Sequence, residues 1–381
     1  MEVVLEHAQM SARLITFYLP QFHPIPENDE WWGKGFTEWT NLAKARPLFR
    51  GHIQPHIPAD LGFYDLRLPE TRIAQAEMAR EYGIEGFCYW HYWFAGKRLI
   101  ERPFNEVLAS GEPDYPFCLA WANHSWTGVW TGCPGRMLVE QTYPGLEDYK
   151  AHFRAVLDAF QDHRYITVDG KPVFVVFCPT ELPEPRAFTD CWRRLAENAG
   201  LKGLYLLGRA DRSWDPAAHG FDAAITNRTY PIVGALSSPK YSLASKIVAR
   251  IGRVKRVVTT GPTVMDYANV VKYAYVTDPV TPDRYPVVVP NWDNTPRCGR
   301  TGVVIAGSSP ELFGTFLDNA LDAVADRDPE HRIVFVKSWN EWAEGNYLEP
   351  DIEHGRGFLE AIGSRVLSGR GELARESCGR T

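Results

Sequence analysis

Short, almost continuous apolar runs recur along the chain and alternate with stretches in which apolar residues follow a helical spacing. Apolar runs of this kind are typical of strands that are buried on both faces, as in parallel sheets. Eight such strands are predicted, at Arg13–Pro20, Gly83–Phe94, Pro116–Trp126, Lys171–Pro179, Gly203–Arg209, Phe221–Asn227, Tyr285–Trp292 and Arg332–Trp339. Eight strands that alternate with helices predict successive βαβ units closed into a (β/α)8 TIM barrel.

The helical stretches between these runs are also readable. Helices are predicted at Pro69–Tyr82, Leu146–Gln161, Glu184–Ala199, Pro310–Val324 and Gly357–Leu367. Gly83 and Gly200 directly follow two of them, as expected for glycines that end helices. An open, doubly wound sheet is the alternative architecture, but no glycine-rich phosphate loop follows the first strand, which argues against it.

Two connections between predicted elements are long, Gln21–Glu70 after strand one and Arg228–Arg284 after strand six. Both follow the carboxyl end of a strand, where barrel enzymes build their active sites, and long loops in compact domains are usually functional. We therefore expect one barrel domain over residues 13–367, with an N-terminal extension at 1–12 and a flexible tail at 368–381.

The tryptophans are distributed unevenly over the predicted elements. Twelve of the 13 lie at the carboxyl ends of predicted strands or in the loops that follow them, and only Trp192 lies on a predicted helix. Indole rings give large, flat apolar surfaces with a polar N–H, which suit the C–H faces of sugars. Any single tryptophan is more simply explained by packing, so the prediction of a carbohydrate site depends on the whole set.

Two glutamates, Glu341 and Glu344, directly follow the apolar run of strand eight and stand three residues apart. On a turn, this spacing brings side chains to roughly the same side. Cleavage of a glycosidic bond uses one carboxyl group as acid and a second as base or nucleophile. A surface ion pair or a helix cap is the alternative interpretation, which the strand-end position and the flanking tryptophans make weaker.

Composition excludes several other functions. The 41 lysines and arginines against 47 aspartates and glutamates give a net charge of −6, which disfavours nucleic-acid binding. The seven cysteines form no C-x-x-C pair, and no histidine spacing indicates a metal, so no cofactor or metal is expected. With no apparent signal peptide or apolar run of membrane-spanning length, a cytoplasmic location is expected. The basic stretch at 240–256 could touch an anionic membrane surface, although a solvated helix face is the simpler explanation.

Three segments resemble a known family. The N-E-W-x-E-G core at Asn340–Gly345 resembles the signature of glycoside hydrolase family 99, and more closely that of the family-99-like, WbsX-like proteins of bacterial polysaccharide gene clusters. The segment Phe17–Trp39 and the aromatic runs of strands two and three are similar to the same group. The resemblance covers about Arg13 to Leu367 and implies a (β/α)8 barrel.

The resemblance also implies roles for individual residues. The family's hydrolases are retaining endo-α-mannosidases and mannanases that are thought to work without a carboxylate nucleophile. Glu341 would then be the base toward the sugar 2-hydroxyl, which attacks C1, and Glu344 would be the general acid and then the general base. The residues expected to contact the carbohydrate are Tyr18, Gln21, His23, Glu38, Trp39, Tyr89, His91, Trp121, Asn123, His124, Trp126, Asn227, Asn291, Trp292, Asp293, Asn340 and Trp342.

The chain departs from the family pattern at one position of this set. Many WbsX-like proteins have Asn-Glu where this sequence has Asn123-His124, so an acidic group is replaced by histidine. A histidine there could hydrogen-bond or carry charge in a subsite, or it could be a wall residue. Three functions stay open at this point: a retaining glycosidase, a glycosyltransferase of O-antigen or capsule assembly, and a non-catalytic carbohydrate-binding barrel.

Overall fold

A sheet of parallel strands forms the centre of the computed structural model, which describes residues 11–128, 133–226, 261–274 and 280–367. Around the sheet the strands follow their order in the chain, and each pairs in parallel with its neighbour. They are Arg13–Tyr18, Gly86–Phe94, Phe117–Trp121, Lys171–Val176, Tyr205–Ala210, Ala223–Thr226, Arg284–Tyr285 with Val287–Val288, and Ile333–Val336. Every one lies within or next to a predicted apolar run, so the eight predicted strands are confirmed.

The seventh strand closes the ring in two pieces. Arg284–Tyr285 pairs with strand six, and Val287–Val288 pairs with strand eight. Pro286 separates the two pieces, because a proline has no N–H to donate to a neighbouring strand. Strand one pairs with both strand two and strand eight. The sheet is therefore nearly closed, as the predicted TIM barrel requires.

Helices follow the strands as the sequence predicts. The five predicted helices are present at Pro69–Glu81, Leu146–Phe160, Pro185–Asn198, Pro310–Asp322 and Gly357–Val366. Ser309 begins one of them by accepting a hydrogen bond from the N–H of Leu312. A further helix, Arg102–Ser110, connects strands two and three; its nine residues are too few for a clear periodic signal in the sequence.

Smaller helices and strands lie between the main elements of the barrel. The insertion after strand one holds two short helices, and a three-stranded sheet combines one strand that precedes strand seven in the chain with two that follow it. The short helices are Pro26–Trp32, Glu38–Lys44, Tyr267–Tyr273 and Thr295–Cys298. The short strands are Lys97–Leu99, Trp126–Gly128, Cys133–Val139, Thr167–Val168, Thr263–Asp266, Trp292–Asp293, Val303–Ala306, Asn340–Glu341 and Asn346–Tyr347.

Some predictions concern parts of the chain outside the described residues. These are the role of Asn227, the basic stretch at 240–256, the tail at 368–381 and most of the extension at 1–12. Within the described ranges, no helix combines the length and the apolar character needed to cross a bilayer.

Candidate active site

A cleft of about 210 Å³ opens at the carboxyl ends of the barrel strands. The side chains that line it lie in the carboxyl-terminal halves of strands two and five or follow strands one, three, four, seven and eight. They are Leu19, Gln21, Trp90, Tyr92, Ala122, His124, Trp126, Phe177, Arg209, Trp292, Arg297, Lys337, Glu341 and Glu344. Barrel enzymes hold their catalytic groups at this end of the barrel, so the cleft is the candidate active site.

A tight turn after strand eight presents both predicted glutamates to the cleft. The two-residue strand that contains Glu341 pairs antiparallel with Asn346–Tyr347, and a single 3-10 turn ending at Glu344 connects them. Gly345 then adopts φ +51°, and a Cβ there would lie 2.7 Å from the backbone nitrogen of Asp293. The turn therefore requires glycine at this position, and it explains why the motif carries one.

Glu341 is 4% exposed and makes two short hydrogen bonds. The indole Nε1 of Trp90 donates to its Oε1 at 2.6 Å, and the Lys337 Nζ donates to its Oε2 at 2.6 Å. Burial raises the pKa of Glu341 above its ordinary value, although Lys337 acts in the opposite direction. A carboxylate with a raised pKa is a stronger base, which suits proton abstraction near neutral pH.

Glu344 has a different electrostatic environment from Glu341. Arg297 donates to its Oε1 at 2.6 Å, and the Lys337 Nζ lies 3.4 Å from its Oε2. Burial would raise the pKa of Glu344, but the charges of Lys337 and Arg297 outweigh burial and lower it to about 2. Lys337 thus bridges the two carboxylates, and their surroundings move their pKa values apart, as in sites where two acids have different roles.

Glu38 lies behind the cleft and holds Arg297 in place. Both of its carboxylate oxygens accept from Arg297 Nη2, at 2.7 and 2.8 Å, and Oε1 also accepts from the N–H of Ala343 at 2.9 Å. The Glu38 side chain is only 1% exposed. Glu38 is predicted from the sequence to contact the sugar, but the structure places it behind the cleft, where it holds Arg297.

Four of the predicted binding residues line the cleft together with the two glutamates. They are Gln21, His124, Trp126 and Trp292. The ring of His124 packs 5.5 Å from that of Phe177, and the Lys337 Nζ lies 5.0 Å from the ring of Trp292. Of the tryptophans in the described residues, Trp90, Trp126 and Trp292 line the cleft. The number of tryptophans available to contact a sugar is therefore smaller than the sequence predicted.

Asn291 and Asp293 face a second cavity, of about 110 Å³, which shares Trp292 with the cleft. Asp293 accepts hydrogen bonds from His52 and Gln54, both at 2.6 Å. Asn291 accepts from the N–H of Tyr347 at 3.0 Å. Their partners are protein groups, so the structure places both residues beside the cleft and not in its lining.

The remaining predicted binding residues are buried in the walls of the barrel, because their polar atoms or rings are held by the protein itself. His91 is hydrogen-bonded to His152, and burial lowers the pKa of His91 to about 3. Trp121 donates to the carbonyl of Trp93, and Asn123 bonds Tyr143 and the backbone of Cys178. The others buried or packed in this way are Tyr18, His23, Trp39, Tyr89, Asn340 and Trp342.

Sequence reasoning missed eight side chains of the cleft, which are Leu19, Trp90, Tyr92, Ala122, Phe177, Arg209, Arg297 and Lys337. Trp90 was recognised only as part of the tryptophan pattern. Lys337 directly follows the apolar strand Ile333–Val336, and a lone lysine at this position is a signal that could have identified it. Arg297 lies in the short helix Thr295–Cys298, within a polar stretch that gives no such signal.

A buried carboxyl group, Glu349, lies beneath the turn that carries the glutamates. It is 2% exposed and accepts from Tyr64 at 2.9 Å, Gln75 at 2.7 Å and the indole of Trp342 at 2.6 Å. Burial raises the pKa of Glu349 to about 7, and the hydrogen bonds only partly offset it. Because Trp342 lies between the two candidate catalytic glutamates, Glu349 positions the segment that presents them.

The raised pKa of Glu349 makes the stability of the fold depend on pH. Between its ordinary value of 4.5 and about 7, the folded state keeps a proton that the unfolded chain has lost. The free energy of unfolding should therefore fall by about 3 kcal/mol as pH rises through this window. Urea unfolding of wild type and Glu349→Gln at several pH values measures this difference. Parallel pH dependences in the two proteins would contradict the assignment.

The donor groups near the cleft do not form a metal site. Within the described part of the chain, no group of three or more histidine, cysteine, aspartate or glutamate side chains is arranged to hold a metal ion.

Comparison of sequences gives a family and two relatives. Residues 14–362 match the model of a family described as "Glycosyltransferase WbsX". The chain is 38% identical over 373 residues to a protein of Xanthomonas campestris pv. campestris named "Uncharacterized protein WxcX", with a second strain giving the same identity. The match covers 97% of this chain and 51% of the relative, so the chain spans about half the length of these relatives.

Comparison of structures gives barrels of the glycosidase type. A protein named "Glycoside hydrolase-like protein" matches with a TM-score of 0.59 and 15% identity, over 96% of this chain and 97% of that one. The GH99 endo-α-mannosidase of Bacteroides thetaiotaomicron matches with a TM-score of 0.53 and 14% identity, over 95% and 98% of the chains. At these identities the likeness concerns the fold.

Proposed function

The chain belongs to the WbsX family, and on this premise we propose that it is an enzyme that makes or breaks a glycosidic bond at the cleft of its barrel. Glu341 and Glu344 are the proposed catalytic residues. The observation that carries the proposal is that one cleft contains both carboxylates, held 2.6 Å from different donors and with pKa values moved in opposite directions.

In the proposed reaction, Glu341 takes the proton of the sugar 2-hydroxyl. The 2-oxygen then attacks C1 while the bond from C1 to the leaving group breaks, which gives a 1,2-anhydro sugar; an alcohol leaving group would take a proton from Glu344 in this step. Glu344 acts next as the base that removes a proton from the incoming hydroxyl, whose oxygen opens the anhydro ring at C1. Two inversions at C1 give overall retention.

Binding of the sugar is assigned to the aromatic wall of the cleft. Trp126 and Trp292 line it beside polar Gln21, which fits a ligand with C–H faces and hydroxyl groups. The similarity to a protein named an endo-α-mannosidase makes α-mannosides the first substrates to test.

The proposal is tested by incubating the protein with a panel of α-mannosides, bacterial surface glycans and activated sugar donors, followed by mass spectrometry. We expect a product of changed glycosidic linkage with at least one member of the panel. Glycan binding without any product on long incubation would instead identify a non-catalytic carbohydrate-binding barrel. Release of free sugar without a donor would indicate hydrolysis.

A further inference from the structure

The contacts of Glu344 restrict the leaving group. The geometry points to a donor substrate whose sugar is joined through C1 to a phosphate group, and so to glycosyl transfer from a sugar phosphate. This inference rests on the proposed function.

Both carboxylate oxygens of Glu344 face cations. Oε1 accepts a hydrogen bond from Arg297 at 2.6 Å, and Oε2 faces the ammonium group of Lys337 at 3.4 Å. A glycoside whose leaving group is an ordinary alcohol needs a proton from an acid at this position. Both cations favour the ionised carboxylate, so this cleft is poorly suited to protonating an alkoxide. A phosphate leaves as a stable anion and needs no such proton.

Cationic side chains outnumber anionic ones in the lining of the cleft. Arg209, Arg297 and Lys337 line the cleft against two carboxylates, Glu341 and Glu344. Glu38, behind the lining, balances part of the charge of Arg297. Arginine and lysine are the side chains that bind phosphate groups best, through charge-assisted hydrogen bonds.

Arg209 and His124 pack against Phe177 in the wall of the cleft formed at strands three, four and five. The Arg209 guanidinium lies 3.9 Å from the ring centre of Phe177 and donates to the Phe177 carbonyl at 3.5 Å. The ring of His124 packs against the same phenylalanine at 5.5 Å. Burial and the charge of Arg209 lower the pKa of His124, while the charge of Glu344 acts in the opposite direction. Phe177 therefore holds one permanent cation, Arg209, and one imidazole that gains its charge only in acidic solution, at the wall where the phosphate of a donor would lie.

The proposed transfer needs no reactant besides the sugar phosphate donor and the acceptor hydroxyl. The electron pair of the C1–O bond leaves on the phosphate oxygen as the 2-oxygen attacks C1, and Glu341 keeps the proton of the 2-hydroxyl. In the second half, Glu344 takes the proton of the acceptor hydroxyl as its oxygen binds C1. The 2-oxygen, freed when the anhydro ring opens, recovers its proton from Glu341, and Glu344 passes the acceptor's proton to the departed phosphate or to solvent. The products are a retained glycoside and a phosphate anion.

The test uses the full chain and matched donors of α-linked mannose, β-linked glucose and β-linked galactose, because attack of the 2-oxygen on C1 requires a leaving group trans to the 2-hydroxyl. For each sugar the set is the methyl glycoside, the glycosyl fluoride, the 1-phosphate, a nucleoside diphosphate sugar and a short polyprenyl diphosphate sugar, all of this configuration. Released phosphate, fluoride or methanol and any glycoside formed are measured. We expect turnover of at least one phosphate donor and none of the matched methyl glycoside; the nucleoside and polyprenyl arms distinguish the two sources of phosphate.

The other outcomes separate this inference from the function on which it rests. Turnover of methyl glycosides at comparable rates overturns the phosphate inference and leaves the glycosidic chemistry standing. Turnover of fluorides alone, lost in Glu341→Gln, has the same meaning. No turnover of any donor, fluorides included, counts against the proposed function itself.

A binding measurement tests the basic wall independently of turnover. Calorimetric titration with inorganic pyrophosphate is expected to show binding that weakens about tenfold or more in Arg209→Gln, and also in His124→Gln below neutral pH. Arg154→Gln, an exposed arginine on the helix Leu146–Phe160, is the matched control and should bind as the wild type does. Equal affinity of the wild type and Arg209→Gln for pyrophosphate would show that this wall of the cleft does not bind the phosphate group.

Discussion

Replacing Glu341 with glutamine is expected to reduce kcat on the substrate identified by the panel roughly 10²- to 10⁴-fold, the range typical of a lost general base. Glutamine keeps the shape of the side chain and can still accept the Trp90 indole N–H, so the fold should be retained. The carboxylate that would take the 2-hydroxyl proton is absent. Steady-state kinetics and thermal unfolding of the same preparation measure the two effects separately.

Glu353→Gln is the matched control, because Glu353 is an exposed glutamate in the chain that follows the same turn. It should leave kcat unchanged. Wild-type rates in folded Glu341→Gln would show that this carboxylate takes no part in the reaction.

The role of Glu341 as the base also predicts how kcat/KM depends on pH. Lys337 acts to lower the pKa of Glu341, since its Nζ lies 2.6 Å from the carboxylate. Lys337→Met should therefore raise the pKa of Glu341 further, and the acid limb of the kcat/KM profile should move to higher pH. Lys150→Met, which breaks an exposed ion pair, should leave the profile in place. A shift toward lower pH in Lys337→Met would contradict the assigned base.

Replacing Arg297 with methionine is expected to lower the free energy of unfolding by about 3–5 kcal/mol, because it removes the cation from a buried ion pair. The Arg297 side chain is 6% exposed and that of Glu38 is 1% exposed. Without Arg297, Glu38 keeps only the N–H of Ala343 among its described hydrogen bonds. Urea unfolding of the two proteins gives the difference.

Two further variants make this prediction specific. Arg67→Met removes an exposed arginine that also makes several hydrogen bonds to one carboxylate, that of Asp65, and should cost about 1 kcal/mol or less. The double variant Arg297→Met/Glu38→Gln should recover much of the lost stability, since no unpaired charge then stays buried behind the cleft. A double variant no more stable than Arg297→Met alone would count against the charge argument.

The barrel was predictable because its signal is local. Each buried strand is a short apolar run, and helices such as Leu146–Phe160 repeat apolar residues at the spacing of one face. The break of strand seven was harder to predict, although Pro286 is visible in the sequence, because the pairing partners of each half are distant in the chain. The short helix Arg102–Ser110 gives too few turns for a periodic signal.

The site was predictable only in part, for the same reason. Glu341 and Glu344 stand in one motif, and the resemblance identifies them directly. Arg297 comes from a different loop and meets Glu344 only when the barrel closes. The polar character of Glu38 suggested a sugar contact, but the sequence does not say whether a carboxylate faces substrate or an internal arginine. Such distinctions depend on contacts between residues far apart in the chain.

The chain of charges from Glu38 through Arg297 to Glu344 joins three loops, which follow strands one, seven and eight. Anyone who transplants the strand-eight motif into another scaffold would move two acids without the arginine that sets the charge of one of them. Evolutionary exchange among such barrels meets the same restriction. We therefore expect the sequences of these three connections to change together between family members.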